Sequence, residues 1–354
     1  MKEKKLKPVM EGTFRIKSKG LEVYEKTRGS WRKSSRLFPE VMQVIELFVA
    51  HDNLEYLIDK KSPKFLKGQL SVDGKVQGAR IDVLPDGRKL DKAYSLFAEH
   101  LTIHDETSND HWDVLYRNPC GNYAYVYTIE KRNLSVEKKY KAVEEFGRHY
   151  LKLKRNVLSA LGDKSDSLAV PMYTLLRTYM RVGNEIYYKA HAHKGLTTLK
   201  KGDISINGNY VTFDYLAKNG VPMKITEKFP DVYIGRLNDI LAPIDKSSFV
   251  FVNPSTGHPI SDVQFRDAFK RYCGEEFYPH IVRSYYATAR AKSFLKGHSS
   301  VTKQEVRDFF LSIAEKLGHK RFVKKEHAWK ESYTVTVHHY IQPELVVRIK
   351  SLVE

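Results

Sequence analysis

Apolar residues recur every three to four positions at Val143, Phe146, Tyr150, Leu153, Val157 and Leu161, with basic residues on the opposite face. That period predicts an amphipathic helix. A second helix is predicted from near Leu168 through Tyr173, Leu176 and Tyr179 to Arg181, and another over 37–58 from Val41, Val44, Ile45, Phe48 and Val49. Further helices fall at 261–273, 284–295 and 303–317, the last opened by Thr302 and Glu305 as a capping box. Between 203 and 225 the pattern becomes strict alternation. Ile204 and Ile206, then Val211, Phe213 and Tyr215, then Val221, Met223 and Ile225 share one face, interrupted by Asn207-Gly208 and Asn219-Gly220. Asn-Gly between alternating runs favours type I′ turns, so a three-stranded meander is expected. Shorter strands are expected over 68–90, around Asp73-Gly74 and Asp86-Gly87, and over 112–129, where Tyr123, Tyr125 and Tyr127 alternate onto one face. The polar, charged stretch 131–139 reads as a linker. The expected fold is therefore α+β: a smaller α+β N-terminal domain, 1–139, precedes a mainly helical domain, 140–354, with a small antiparallel three-stranded sheet.

The length of 354 residues suits about two domains, each able to bury a core, and 42% apolar residues fit a soluble globular chain. No apolar run approaches the ~20 residues a bilayer span needs, so no membrane partner is expected. The N-terminus has lysines but no apolar stretch, unlike a secretory signal. Cys120 and Cys273 make neither a disulfide framework nor a zinc spacing, which fits a reducing interior: cytoplasm, nucleoid or virion. Charge changes the picture most. Sixty Lys and Arg against 42 Asp and Glu leave +18, which implies a polyanionic partner, nucleic acid being the usual one. On that reading the Lys/Arg-rich residues 1–35 are either partly disordered or a DNA-contacting arm. The tyrosine row at 123–127 is either a surface laid on DNA or a half-buried strand face.

Five short segments carry candidate chemistry. Arg181 sits in MRVGNEIYY between apolar Met180 and Val182, with Asn184 and Glu185 in reach to orient it, and GLTTL follows at 195–199. Lys218 stands at the meander's second turn, where a lysine projects away from the sheet. Arg283 closes Pro279-His280-Ile281-Val282-Arg283, after Ser261-Asp262-Val263 and before Thr288. His319 follows Gly318, a helix C-cap signal, in LGH. Tyr340 lies in His338-His339-Tyr340-Ile341-Gln342-Pro343, with Tyr333 as a competing phenol.

These segments resemble the type IB DNA topoisomerases of bacteria and poxviruses, through Arg181, Gly183, Asn184, Gly195, Leu196, Thr197, Thr198 and Leu199, then the 261–291 run, the Leu-Gly-His element and a Tyr-Ile-x-Pro context. The resemblance covers roughly 140–354. It implies relaxation of supercoiled double-stranded DNA by a monomer that clamps the duplex, without ATP, metal or small-molecule cofactor. Tyr340 would be the nucleophile forming a 3′-phosphotyrosyl bond, Arg181, Arg283 and His319 would stabilise the phosphorane-like transition state, and Lys218 would protonate the leaving 5′ oxygen. PHIVR also resembles the His-x-x-Arg box of tyrosine recombinases, which share the catalytic fold, so recombinase is the alternative, and a non-catalytic DNA-binding protein on this scaffold is a second. His280 is either a phosphate ligand or a packed polar residue. In both families the tyrosine comes about nine residues after the histidine position, whereas Tyr340 comes twenty-one after His319 and Tyr333 fourteen, which makes 320–333 an insertion. No P-loop, GxSxG elbow or HExxH motif is present.

Overall fold

The computed structural model describes residues 9–104, 112–119 and 121–354. The chain divides into two compact units, Met1–Lys138 and Lys139–Glu354. In the first, β1 (Phe14–Ile16), β2 (Val23–Thr27) and β3 (Ser30–Lys33) precede α1 (Pro39–Ala50), and β4 (Gln69–Leu70) and β5 (Val76–Gln77) complete a sheet in the order β3-β2-β1-β4-β5. A ribbon of β6 (Ile81–Val83) and β7 (Lys89–Tyr94) and a sheet of β8 (Glu99–Ile103), β9 (Val114–Arg117) and β10 (Tyr123–Val126) follow. Ile16, Ile45, Phe48, Leu66, Ile81 and Val126 lie in their common core. The described part of 1–35 is thus a meander rather than a disordered arm: Ile16 and Val23 are buried and Leu21 partly so, while Val9 ahead of the first strand is exposed. Tyr123 and Tyr125 are exposed, so the tyrosine face of β10 is not a half-buried one; Val126, of opposite parity, is the buried residue. Cys120 lies outside the described residues.

The expected linker at 131–139 is helix. α2 (Ile129–Ala160) runs straight through it, because a polar stretch of Lys, Glu and Leu without Gly or Pro satisfies the backbone as well as an apolar one. Thr128 starts it, accepting at its carbonyl from Arg132 N at 2.9 Å and at its hydroxyl from Lys131 N at 3.3 Å.

In the second unit α3 (Ala169–Thr178) and α4 (Glu185–His191) lead to the meander β11 (Ile204–Asn207), β12 (Tyr210–Ala217) and β13 (Val221–Lys228), in that spatial order. Register pairs Ile204 with Phe213 and Phe213 with Ile225, which puts the alternating apolar residues on one face. The turns are not both type I′, which needs positive φ at two central residues. Gly208 alone carries it in the first turn, at φ 57, and the second is a three-residue loop, Lys218–Gly220, with Asn219 and Gly220 at φ 65 and 72. Helices α5 (Asp231–Leu241), α6 (Asp262–Cys273), α7 (Ile281–Gly297) and α8 (Lys303–Leu317) follow. A hairpin of β14 (Lys320–Val323) and β15 (Ala328–Glu331) then leads to α9 (Thr334–His339) and α10 (Pro343–Ser351). α8 begins at the expected capping box, Glu305 N donating to the Thr302 hydroxyl at 3.2 Å and Thr302 N to the Glu305 carboxylate at 2.7 Å.

Two apolar clusters fill this unit. One gathers Phe146, Phe213, Phe229, Tyr233, Phe265 and Phe269 between α2, the meander and α3, α5 and α6. Phe146, fully buried, meets Phe277 and Tyr285 edge-on at 5.1 and 5.2 Å, a burial that contributes roughly 1.5–3 kcal/mol. The other gathers Ala287, Ala291, Phe310, Ile313, Ile341 and Ile349 among α7, α8, α9 and α10. Tyr179 packs on both clusters, and α7 belongs to both, with Val282 in the first and Ala287 in the second. The first turn of α7 therefore lies at the seam where polar side chains can meet.

Candidate active site

Arg181 lies beyond α3, not on it. The helix stops at Thr178 because Tyr179 takes a left-handed conformation (φ 58) and caps Leu175 O, while the Thr178 hydroxyl turns back to Thr174 O at 2.7 Å. The following extended segment is packed backbone to backbone on GLTTL. Leu196 N donates to Arg181 O at 2.8 Å, and the Thr197 hydroxyl donates to Gly183 O at 3.1 Å. A Cβ on Gly195 would stand 2.7 Å from Arg181 O, and one on Gly183 would stand 2.8 Å from Thr198 N and closer still to its hydroxyl. Both glycines are therefore steric requirements of the Arg181 backbone. Gly183→Ala should lose about 1–3 kcal/mol of stability in urea unfolding through this clash with a rigid neighbour; unchanged stability would mean the contact is not tight. Asn184 does not orient Arg181: it caps α4, accepting from Tyr187 N at 2.9 Å, and Glu185 pairs with Lys189 and His258. The guanidinium is held instead by the Tyr340 hydroxyl, to which its Nη2 donates at 2.7 Å.

Arg283, 3% exposed, is on the first turn of α7. It donates to Tyr179 O, to Leu317 O at 2.8 Å and to His319 Nε2 at 3.1 Å, and its guanidinium carbon lies 5.3 Å from the centre of the Tyr340 ring. Burial pushes its pKa down, but a guanidinium still keeps its proton. His319 follows Gly318, whose φ of 67 ends α8 and whose missing side chain makes room for Met223 of β13. The His319 ring is 4.6 Å from that of Tyr340, and its Nδ1 is 2.8 Å from the Thr336 hydroxyl. Burial first, then Arg283 and Arg181, push its pKa down to about 2, so the imidazole is neutral. His280 sits just before α7 with its ring 5.2 Å from Tyr340; burial and the same two arginines push it to about 3.

Lys218 reaches the same place from the sheet. It is exposed on its loop, its ammonium 5.8 Å from the centre of the Tyr187 ring rather than on the Tyr340 hydroxyl. With Arg181 and Arg283 it lines both a cleft of about 640 Å³ that includes His280 and a smaller one of about 290 Å³ that includes His319. The smaller cleft has no carboxylate in its wall. Of its other cations, Lys194 pairs with Asp203, Lys316 with Glu227 and Lys320 with Glu331. Arg181, Lys218 and Arg283 thus present positive charge and N–H donors to one small space, the arrangement that favours a phosphate.

The two phenols separate clearly. Tyr333 packs its ring 5.9 Å from Phe310 in the second apolar cluster, whereas Tyr340 meets Arg181, Arg283 and both histidines. The spacing follows from the hairpin. Ser332 N donates to His319 O at 3.0 Å, so the twelve residues Lys320–Glu331 leave and return to the same point. Discounting them leaves Tyr340 nine positions after His319.

Four further residues hold the site, and of these only Thr288 stood out in the sequence. Besides Thr336 on His319, Lys139 places its ammonium 5.5 Å from the centre of the Tyr340 ring and donates to His339 O. The Tyr140 hydroxyl donates to Ile341 O at 2.6 Å, and the Thr288 hydroxyl donates to Tyr340 O at 3.3 Å. Lys139, Tyr140 and Thr288 hold the backbone or ring of the phenol segment from elements far away in sequence, while Thr336 holds His319 from the helix that ends at Tyr340.

The family described as eukaryotic DNA topoisomerase I, catalytic core, matches residues 130–341, more than half of the chain and a span within which the five candidate residues fall. No curated protein matches. Among solved structures the chain is similar to the XerH site-specific recombinase bound to difH substrate in a pre-cleavage complex, with 16% identity, 49% of this chain and 50% of that chain covered, and a TM-score of 0.34. It is similar also to the XerA recombinase, with 16% identity, coverage of 56% and 62%, and the same TM-score. In both, less than two thirds of the recombinase's length is covered.

Proposed function

The chain belongs to the family of the eukaryotic DNA topoisomerase I catalytic core, and on that premise we propose that it relaxes supercoiled duplex DNA through a covalent phosphotyrosyl enzyme. The observation that carries the reading is the Arg181 guanidinium on the Tyr340 hydroxyl, with Arg283 and His319 beside it. Tyr340 Oη attacks the phosphorus of one strand and gives up its proton to solvent. The bond to the 5′ oxygen breaks, Lys218 protonates that oxygen, and a 3′-phosphotyrosyl bond remains. Arg181 and Arg283 hold the non-bridging oxygens as charge grows on them. The broken end swivels, the 5′ hydroxyl attacks back, and the phenol is released. The energy of the phosphodiester is kept in the phosphotyrosyl bond, so the cycle needs no ATP. The excess of positive charge supplies the sequence-independent grip on the duplex, and the Met1–Lys138 unit is proposed as a second DNA-binding body.

The test is relaxation of supercoiled plasmid by the purified protein without ATP. Lys218→Ala should slow cleavage about 10²–10⁴-fold, the usual worth of a positioned general acid. A substrate whose 5′ bridging oxygen is replaced by sulfur, which leaves without protonation, should recover most of that loss. Equal slowing on both substrates would remove Lys218 from the role. Recombinant products from paired sites, in place of relaxed circles, would instead favour the recombinase reading, which His280 in PHIVR supports by its place beside Tyr340.

A further inference from the structure

The hydrogen bonds of His319 fix its proton. Arg283 is a donor only, so the contact from its Nη2 at 3.1 Å requires an unprotonated lone pair on His319 Nε2. A neutral imidazole then carries its proton on Nδ1, which donates to the Thr336 hydroxyl at 2.8 Å. Thr336 is fully buried within α9, one turn before Tyr340, so the acceptor is held in place by the same helix that carries the phenol. In this state His319 has no proton with which to meet a phosphate oxygen. Arg283 and His319 satisfy each other across the space where the phosphate belongs.

We infer that Thr336 is the positioning residue that fixes His319 as its Nδ1–H tautomer, and that His319 takes up a proton at Nε2 when a DNA phosphate draws Arg283 away from it. The inference rests on the proposed reading for the identity of the anion. Balance is simple. A non-bridging oxygen accepts the Arg283 N–H that Nε2 had accepted, solvent supplies one proton to the freed lone pair, and the new Nε2–H donates to the phosphate while Nδ1–H stays on Thr336. The charged groups nearest His319 are cationic, and Glu227 and Glu331 are taken up by Lys316 and Lys320. Arg283 and His280 face it from α7 and the residue before it, Arg181 from the segment after α3, and His339 and Tyr340 from the end of α9. Lys218, Lys316 and Lys320 line the same cleft. Burial, then Arg283 and Arg181, hold the His319 pKa down to about 2 and so favour the neutral imidazole. An entering phosphate neutralises those charges and adds an opposite one, which favours the protonated form. The bound-state rate therefore falls as pH rises through the raised value, and weakening the Nδ1–H contact moves that fall to lower pH.

The experiment uses full-length protein with ¹⁵N-labelled histidine, the His319 signals being assigned by their loss in His319→Gln. In the free wild type, Nδ1 should read as protonated and Nε2 as unprotonated. Adding a short duplex to Tyr340→Phe protein, which binds without turnover, should protonate Nε2 as well. Thr336→Val, nearly isosteric, should bind the duplex as wild type does, lose the single tautomer, relax plasmid about tenfold more slowly, the scale of one lost hydrogen bond to a charged group, and shift the pH profile to the acid side. Thr336→Ser should restore all of these. A free-state Nε2–H tautomer, no proton gained with DNA, or a Thr336→Val enzyme with wild-type rate and pH profile would each overturn the inference. Should Thr336→Val fail to fold, the two wild-type and Tyr340→Phe spectra still decide it. A wild type that relaxes no plasmid would count against the proposed function, while the free-state tautomer would still report on Thr336.

Discussion

Tyr340→Phe is expected to remove the covalent adduct on nicked or suicide duplex DNA and to reduce plasmid relaxation on the order of 10⁴-fold or more, the scale seen when a nucleophile is deleted. Tyr333→Phe should leave both nearly unchanged. The distinction rests on what each oxygen touches. The Tyr340 hydroxyl receives a hydrogen bond from Arg181 at 2.7 Å, and its ring lies against Arg283, Lys139, His280 and His319. Arg181 thus stands on the oxygen where negative charge must develop, with Arg283 and Lys139 over the ring. Tyr333 lies against Phe310 within an apolar cluster, at the start of the same helix. Tyr340→Phe leaves the ring packing in place, so thermal unfolding should stay within about 1–2 kcal/mol of wild type, the range for one lost hydrogen bond. Mass spectrometry of the phosphotyrosyl peptide after trapping gives the address directly. An adduct on Tyr333, or relaxation by Tyr340→Phe, would overturn the assignment.

Arg283→Ala should be costly twice over. The guanidinium closes the carboxyl ends of two helices at once, donating to Tyr179 O just beyond α3 and to Leu317 O, the last residue of α8. Those carbonyls are where a positive donor is most favourable, and removing it leaves both unsatisfied in a buried place. At about 1–3 kcal/mol for each stranded group, urea unfolding should show a loss of about 3 kcal/mol or more. The second cost is kinetic: one lost donor to the developing charge is worth about 10²–10³-fold in cleavage rate. Arg283→Lys should recover little of either, since an ammonium has no planar fork to reach Tyr179, Leu317 and His319 together. Measuring adduct formation in the folded fraction separates the two effects. A variant that is destabilised but cleaves at the wild-type rate would leave Arg283 a structural residue only.

Much of this was legible in the chain because it is local. Helix stripes and strand alternation depend on neighbours within a few residues. The α2 stripe, the meander and the Thr302–Glu305 capping box could therefore be read directly. Gly183 and Gly195 were legible as part of a motif, and the tertiary structure supplied the reason: each leaves room for a backbone that a Cβ would strike. Local reading failed where polarity was taken for disorder or a break, at 131–139, which is helix, and at 14–33, which is sheet. It failed also at Arg181, where a left-handed Tyr179 ends α3 three residues earlier than the apolar period suggested. Sequence by itself determined the residue types, the elements that carry them and two candidate phenols. Only the tertiary structure showed that Tyr340 meets Arg181 while Tyr333 packs on Phe310, and placed Thr336 behind His319. The physical reason is range. Arg181 and Tyr340 are 159 positions apart, and their hydrogen bond exists only because two apolar clusters meet at the first turn of α7.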